Sequence, residues 1–199
     1  MSEWPRPDET LFVSATDWQH NACVSRFPTF GHYAYSFYES ARALAETVGS
    51  KERDIYLDAA IYPITFMYRH YVELSLKHIV AMLRRIEESR NGYPKIHDLT
   101  ALWAECRRLL VQHYSVKEIP GLEGMERCVS ELARHDPDSM SFRYPTDRDG
   151  NFTLQGVSHI NLRHLYEAME RVNHFLESIG GDIGQHLDYV LQSEANYES

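Results

Sequence analysis

The chain has 199 residues, of which 43% are hydrophobic and 25% are charged. This composition excludes a disordered chain, a collagen-like repeat and a small scaffold held together by disulfides, and the length suits one domain. The 29 acidic side chains outnumber the 20 basic ones, which gives a formal net charge of −9. Such a charge argues against a protein that coats nucleic acid or an anionic membrane non-specifically, but it is compatible with a local basic pocket.

The cysteines predict a reducing compartment. Cys23, Cys106 and Cys128 are far apart, form no C-x-x-C motif and leave one thiol over. An odd and dispersed set of this kind is typical of intracellular proteins, and no apolar stretch at the N-terminus resembles a signal peptide. No run approaches the roughly 18 apolar residues that a membrane span needs. We therefore expect a cytoplasmic protein.

The first 30 residues predict an extended arm. They contain three prolines and show no sustained apolar period. Trp4, Phe12 and Trp18 are available to anchor this arm to the rest of the protein. Residues 31–199 are predicted to form a single helical domain.

Apolar residues at three- and four-residue steps predict a series of helices. They cover about 33–49, 52–90, 97 to just before Pro120, a short fourth helix near 125–132, 158–179, and a last amphipathic piece after Gly180-Gly181. Pro63 is expected to kink or divide the second helix, and the glycine pair is expected to end the fifth. Residues 135–153 are rich in Asp, Pro, Ser and Gly, which predicts an irregular segment. No stretch predicts a strand. The expected fold is therefore all-α, an up-and-down bundle of about five to six helices.

Arg69, Glu73 and Lys77 form a charged line on the second helix. On a helical wheel they lie along the edge of its apolar stripe and not on the solvent side. Charges in such a place must be paired, because an unpaired buried ion is very costly. Two interpretations stay open: an interior ion-pair network that braces the bundle, or a polar pocket that binds an anion or carries out chemistry.

His97 and Asp98 precede the third helix. Asp98 is a candidate N-cap, whose carboxylate accepts hydrogen bonds from the first free amides of the helix. His97 would then lie at the positive end of the helix, which disfavours its protonated form. A neutral imidazole can accept a proton near neutral pH, so His97 is either part of a structural cap or a candidate base.

The segment Ser141-Phe142-Arg143-Tyr144-Pro145 lies in the irregular region. Pro145 favours extended geometry at Tyr144, so we expect Arg143 and Tyr144 to project in opposite directions. Nearby aspartates could neutralise Arg143; they are Asp136, Asp138, Asp147 and Asp149. The segment is therefore either an ordered structural loop or a binding or active loop.

Six tyrosines form a further pattern. They are Tyr33, Tyr35, Tyr38, Tyr62, Tyr68 and Tyr71. Such rings can stack on nucleobases, although they more often fill an irregular interface between helices. Glu170 and His174 lie one helical turn apart and could supply only two metal ligands, so we predict neither a metal site nor a cofactor.

Taken together, three motifs resemble those of the HEPN superfamily. They are Glu73-x-x-x-Lys77, then His97-Asp98-Leu99-x-x-Leu102, then Arg143-Tyr144-Pro145 ahead of a closing helix. Members of the superfamily typically read "ELxLKaxL … HDLxxL … RYP" in this order, and the resemblance covers about residues 60–180. It implies a bundle of four to five helices, commonly a homodimer, in a superfamily linked to RNA and nucleotides. Many members are metal-independent endoribonucleases, often toxins or antiviral effectors.

The usual HEPN nuclease motif is missing from its expected place. In HEPN nucleases an Arg-x(4–6)-His pair lies on the last core helix, where the Arg stabilises the phosphate and the His shuttles a proton. The 2′-hydroxyl then attacks the neighbouring phosphorus without a metal. Residues 158–179 contain no such pair, and no His follows Arg143 at the required distance. A nuclease of this type would need other residues, of which Arg143 and His97 are the first candidates.

Two functions remain open. The first is a non-catalytic HEPN-like module of a toxin–antitoxin or antiviral defence system. It would bind RNA, a nucleotide or a protein partner in a polar cleft formed by Arg69, Glu73, Lys77, Asp98 and Tyr144. The second is a metal-independent endoribonuclease with Arg143 as phosphate clamp and His97 as acid and base. The missing motif and the negative charge favour the first. Both require the three polar segments to share one recess.

Overall fold

The computed structural model describes residues 4–13, 16–24, 26–49, 56–87, 92–114 and 119–197. None of these residues belongs to a β-strand, which confirms the all-α prediction. The described ranges contain one 3-10 turn (Trp18–His20) and five α-helices, α1 (Phe30–Gly49), α2 (Tyr56–Ile86), α3 (Leu99–His113), α4 (Leu122–His135) and α5 (Leu162–Tyr197). The outermost residues predicted for the second helix, 52–55 and 88–90, lie outside the described ranges, as do residues 115–118.

α2 is the central helix of the bundle, since it packs against α1, α3 and α5. Residues 71–77 are buried without interruption, so this part of α2 has no solvent face. Any charged side chain there must therefore find its partners inside the protein. The helix also continues through Pro63, so the proline does not divide it. The neighbouring Ala60 and Ile64 are both buried, and their packing offsets the lost backbone hydrogen bond.

α5 is a single helix of 36 residues, so the expected end at Gly180-Gly181 is wrong. Two glycines inside a helix cost roughly 2 kcal/mol relative to alanine. That cost is offset because buried apolar side chains lie on both sides of the pair, Ile179 before it and Ile183 after it. Burial of each such side chain contributes about 1.5–3 kcal/mol.

Three aromatic rings of the N-terminal arm are largely exposed. Trp4, Phe12 and Trp18 are 79%, 98% and 74% exposed, so these rings are not buried in the bundle as anchors would be. Residues 136–161, which follow α4, form an irregular segment, and this confirms the loop predicted over 135–153. Among the described residues, no helix has both the length and the apolar character required to cross a bilayer.

We expect Gly181→Ala to raise the free energy of unfolding by about 0.5–1 kcal/mol, measured by urea denaturation. Gly181 is exposed in the interior of α5, and a Cβ there would meet nothing within 4 Å. Gly121→Ala is the matched control, because Gly121 has φ of 82° at the start of α4 and alanine is strained there by about 1–2 kcal/mol. A loss of stability in Gly181→Ala would contradict a continuous α5.

Candidate functional site

The charged line on α2 is buried and fully paired. Arg69, Glu73 and Lys77 are 0%, 2% and 5% exposed. Arg69 Nη1 donates to Glu73 Oε2, and Lys77 Nζ donates to Glu73 Oε1 at 2.8 Å. The expectation from the helical wheel, that these charges face inward and are paired, is confirmed. Burial alone would raise the pKa of the Glu73 carboxyl, but the hydrogen bonds from Lys77 and Arg69 outweigh burial and lower it.

Arg69 also connects α2 to the other two polar segments. Its Nη2 donates to the backbone oxygen of His97 at 3.1 Å, and its Nε donates to the backbone oxygen of Asp136 at 3.3 Å. The buried Asp136 carboxylate lies 3.6 Å from the same Nε, and its other oxygen accepts from the Ser141 amide at 2.8 Å. One guanidinium therefore holds the start of α3 and the end of α4 against the middle of α2. Both functional hypotheses required the three segments to share one recess; Arg69 joins the segments, but Arg69, Glu73 and Lys77 are buried and do not line the cavity at Arg143.

His97 combines a buried partner with an exposed ring. Its Nδ1 lies 2.9 Å from Glu73 Oε1, and its side chain is 76% exposed. With Nδ1 donating to the carboxylate, Nε2 carries the lone pair and can accept a proton. The buried carboxylate fixes both the tautomer and the orientation of the ring. This arrangement suits a general base, because the accepting nitrogen is accessible.

Asp98 is the N-cap of α3, as predicted. Its Oδ1 accepts from the Ala101 amide at 2.9 Å, and its backbone is extended. The carboxylate is therefore used to satisfy a free amide of the first turn. Asp98 takes no part in the buried network around Glu73 among the described contacts, so its role here is to place His97 at the end of the helix.

Arg143 lies over an aromatic platform formed by Phe66 and Tyr144. Its Cζ is 5.2 Å from the centroid of the Phe66 ring and 5.7 Å from that of Tyr144. The contact with Tyr144 shows that the expected opposite projection of these two side chains is wrong. The backbone turns at Met140, whose carbonyl accepts from the amides of both Arg143 and Tyr144 at 3.0 and 2.9 Å. The segment is therefore a turn, and the long arginine side chain folds back over its neighbour.

The aspartates near Arg143 in sequence do not neutralise it. No carboxylate of the described residues lies within 4.0 Å of the Arg143 guanidinium. Asp136 is engaged by Arg69 and Ser141, while Asp147 accepts from the amides of Asp149 and Asn151 at 2.9 Å each. Arg143 donates from Nε to the Ser139 carbonyl, and its Nη2 lies 3.2 Å from Met140 Sδ. In the described part of the chain, Nη1 has no hydrogen-bond partner.

A cavity of about 460 Å³ opens beside Arg143. Tyr62 of α2 and Tyr144 line it, and each of these side chains is 50% exposed. Two other tyrosines of α2 have a different role: Tyr68 and Tyr71 are buried in the core and fill the interface between helices. The tyrosine pattern thus identified Tyr62 only as one of six, and sequence alone could not separate the three exposed rings, Tyr33, Tyr35 and Tyr62, from the three buried ones.

His70 is a site residue that sequence reasoning missed. Its ring stacks on Phe66, with centroids 5.8 Å apart and 10° between the planes. Burial lowers the pKa of His70, and the positive charges of Arg69, Lys77 and Arg143 act in the same direction. His70 therefore lies between the buried network and the Arg143 platform. The feature of the sequence that could have indicated His70 is its position one residue after Arg69 and one turn after Phe66.

Arg143 and His97 are not joined by any hydrogen bond or ring contact within the described ranges. His97 is fixed by Glu73 on one side of Arg69, whereas the loop that carries Arg143 is fixed through Asp136 on the other. The described residues also contain no group of three or more His, Cys, Asp or Glu side chains placed to hold a metal ion. Glu170, which the sequence pairs with His174 as two possible metal ligands, accepts a hydrogen bond from the Tyr38 hydroxyl.

We expect Glu73→Gln to lower the free energy of unfolding by about 3–5 kcal/mol in urea denaturation at neutral pH, because it leaves Arg69 and Lys77 buried without their anion. Since the folded-state pKa of Glu73 is lowered, its contribution is present above the ordinary pKa and is lost as the pH falls through the folded-state value. Glu46→Gln is the control: Glu46 forms a half-exposed pair with Arg42 and should cost less than about 1 kcal/mol. Equal costs for both variants would contradict a buried network.

Comparisons with known proteins find no relative of this chain. No protein family model matches the chain, and neither a characterised sequence nor a solved structure matches it. The function is therefore inferred from the side chains themselves and from the order of the three motifs.

Proposed function

We propose that the chain is an HEPN-like binding module that holds a nucleotide unit of single-stranded RNA in the cavity beside Arg143. The observation that carries the proposal is the environment of the Arg143 guanidinium. The guanidinium lies over the Phe66 ring, Arg143 lines a cavity of about 460 Å³, and no carboxylate of the described residues pairs with the guanidinium. An arginine that is held in place and not neutralised is available for an anionic ligand.

The chemistry of the cavity suits a nucleotide. A guanidinium carries five N–H donors in a planar fork that matches the oxygens of a phosphate. Arg143 directs Nε and Nη2 to its own loop, which leaves donors on Nη1 for the ligand. Tyr62 and Tyr144 provide half-exposed rings at the same cavity. Stacking of a base on such a ring is worth about 1–3 kcal/mol, and it does not depend strongly on base identity.

The net charge of −9 restricts how the RNA is bound. A strongly acidic protein gains little from long-range attraction to a phosphate backbone. Recognition through one arginine and two tyrosines instead predicts a small footprint, with roughly one counterion released from a single strand. The affinity should therefore decrease only weakly as salt is raised.

The order of the three motifs supports the same proposal, because the resemblance to HEPN proteins implies a link to RNA. We extend the proposal accordingly to a cytoplasmic homodimer in a toxin–antitoxin or antiviral defence system. In this proposal the buried Arg69, Glu73 and Lys77 position the exposed segments, and Arg143, Tyr62 and Tyr144 face the ligand.

We expect Arg143→Ala to weaken binding of a fluorescently labelled single-stranded RNA by roughly tenfold or more, measured by anisotropy, because it removes a hydrogen bond between charged groups. Tyr62→Ala should weaken binding by roughly fivefold or more, through lost stacking. Arg143→Lys should not restore affinity if the planar guanidinium is required.

Arg148→Ala is the matched control for charge, because Arg148 is an exposed arginine of the same loop that does not line the cavity. It should bind as tightly as the wild type. Equal losses in Arg143→Ala and Arg148→Ala, or no saturable binding by the wild type, would contradict the proposal.

The pair formed by His97 and Glu73 favours a second candidate function, a metal-independent endoribonuclease. His97 Nε2 would accept the proton of a 2′-hydroxyl, whose oxygen then bonds to the adjacent phosphorus. The bond from phosphorus to the 5′-oxygen breaks, and that oxygen leaves with a proton returned by His97. The products are a 2′,3′-cyclic phosphate and a 5′-hydroxyl. Arg143 would stabilise the charge on the phosphate in this scheme, from the same chain or from a second copy.

For this candidate we expect the wild type to cleave structured RNA in EDTA and the activity to be lost in His97→Ala and Arg143→Ala, with the cyclic phosphate detected by mass spectrometry. His20→Ala is the matched control, because His20 Nδ1 also lies near a carboxylate, 3.1 Å from Asp17 Oδ2, but both side chains are well exposed. Cleavage that survives in His97→Ala, or no cleavage of any tested RNA, would contradict the second candidate and leave the binding proposal intact.

A further inference from the structure

The N-terminal arm carries a run of exposed apolar side chains. Leu11, Phe12 and Val13 are 86%, 98% and 67% exposed, and they are consecutive in sequence. Single apolar residues are common at a protein surface, but a consecutive run indicates a surface that is covered in a complex. Trp18 and Val24 of the same arm are also largely exposed. The arm therefore presents several apolar side chains that the bundle of its own chain does not bury.

A groove with matching chemistry lies between α4 and α5. It consists of two adjoining cavities of about 310 and 640 Å³, which share Cys128, Ala168 and Val172. Met169 and Val172 are buried at its floor, so the groove reaches the core of the bundle. Cys128 and Ala168 have small side chains, and larger residues at these positions would fill the space between the two helices.

The polar groups of the groove favour an apolar occupant. The Thr65 hydroxyl donates to the Ile61 carbonyl at 2.8 Å, and Asn161 Oδ1 accepts from the His164 amide at 3.0 Å. The protein itself uses these groups, so a buried polar group of an occupant would find few partners. His164 and Arg171 line the groove and are exposed, so the groove opens to solvent. Side chains of an occupant can therefore enter while its backbone stays in contact with water.

The arm of the same chain starts on the opposite side of α5 from the groove. The residues of α5 that line a cavity together with the first turns of α1 are Leu176, Glu177, Gly180 and Gly181. The residues that α5 contributes to the groove over the same turns are Phe175, Ser178, Ile179 and Asp182. At roughly 100° per residue, these two sets point to opposite sides of the helix. An arm that reached the groove of its own chain would have to pass around the bundle, whereas the arm of a second copy can approach it directly.

We infer that the groove between α4 and α5 binds residues 11–13 of a second copy, with Phe12 in the groove. This segment is apolar and uncharged, as the floor of the groove requires, and each copy offers one arm and one groove. Two copies related by a two-fold axis can therefore satisfy both contacts in a closed dimer. The inference rests on the homodimer of the proposed function and names the surfaces that form it. Phe142 and Val157 line both the groove and the Arg143 cavity, so the arm of the second copy lies beside the proposed RNA site.

The inference is tested by analytical ultracentrifugation of the full-length protein. We expect the wild type to form a dimer of twice the 23.2 kDa chain mass as its concentration is raised. Phe12→Asp should weaken dimerisation by roughly tenfold or more, because it places a charge in the apolar contact. Gln19→Asp is the matched control, since it adds the same charge at an exposed polar residue of the arm and should leave the dimer unchanged.

The groove is tested from its own side. Ala168→Phe should fill it and weaken dimerisation as well, whereas Ala104→Phe, at an exposed position of α3, should not. Phe12→Asp keeps an intact groove and Ala168→Phe keeps an intact arm, so a mixture of the two variants restores one contact between an arm and a groove. We expect the mixture to form heterodimers at concentrations where each variant alone is monomeric.

The inference is overturned if Phe12→Asp dimerises as tightly as the wild type, which would place the dimer contact elsewhere and leave the homodimer proposal intact. It is also overturned if the mixture forms no heterodimer, or if the wild type is monomeric at every concentration, which would remove the homodimer proposal as well. Arg143 does not line the groove, so Arg143→Ala should dimerise as the wild type does. Dimerisation and RNA binding are thus judged by different variants.

Discussion

The rest of the structure depends on the interactions of the buried Glu73 carboxylate. One oxygen accepts from Arg69, and the other accepts from Lys77 and lies beside the His97 ring. Because the group is 2% exposed, water cannot replace any of these partners. The free energy of the network therefore depends on all its members together, and removing the anion leaves two buried cations unpaired.

This network explains why the segments that carry the candidate site residues are in fixed positions although two of them lie outside helices. Arg69 also donates hydrogen bonds to the backbone oxygens of His97 and Asp136, which are distant in sequence. Backbone oxygens are independent of side-chain identity, so the guanidinium fixes the path of the chain and leaves the side chain of His97 exposed. Charges inside the bundle thus position the groups at its surface.

The structure also divides the basic side chains into two classes. Arg69 and Lys77 are paired and buried, so they cannot contact a ligand without unfolding the site. Arg143 is held by Phe66 and by its own loop, and among the described residues its Nη1 donors have no partner. An aromatic platform positions a guanidinium without neutralising it, which a carboxylate could not do. In the proposed function, this difference gives the charged contact with the ligand to the loop and structural support to the buried part of α2.

Short-range sequence patterns were sufficient to predict much of the secondary structure of this protein. The three-to-four-residue period of apolar side chains predicts the five helices, the wheel places Arg69 and Glu73 at the buried face, and the side-chain chemistry of Asp98 predicts the cap of α3. These features follow from sequence because they depend on residues within one or two helical turns. The resemblance to HEPN proteins likewise rests on motif order, and its functional content remains a proposal.

Contacts between distant segments decided the rest. Gly180 and Gly181 do not end α5, since burial of apolar residues on both sides outweighs the local preference of glycine. The aspartates near Arg143 are drawn to Arg69 or to local amides, so proximity in sequence did not make them its partners. His70 and Tyr62 became site residues only when the loop packed beside them. Secondary structure follows from short-range periodicity and capping, whereas the free or paired state of a charge depends on which residues folding brings within a few ångströms of it.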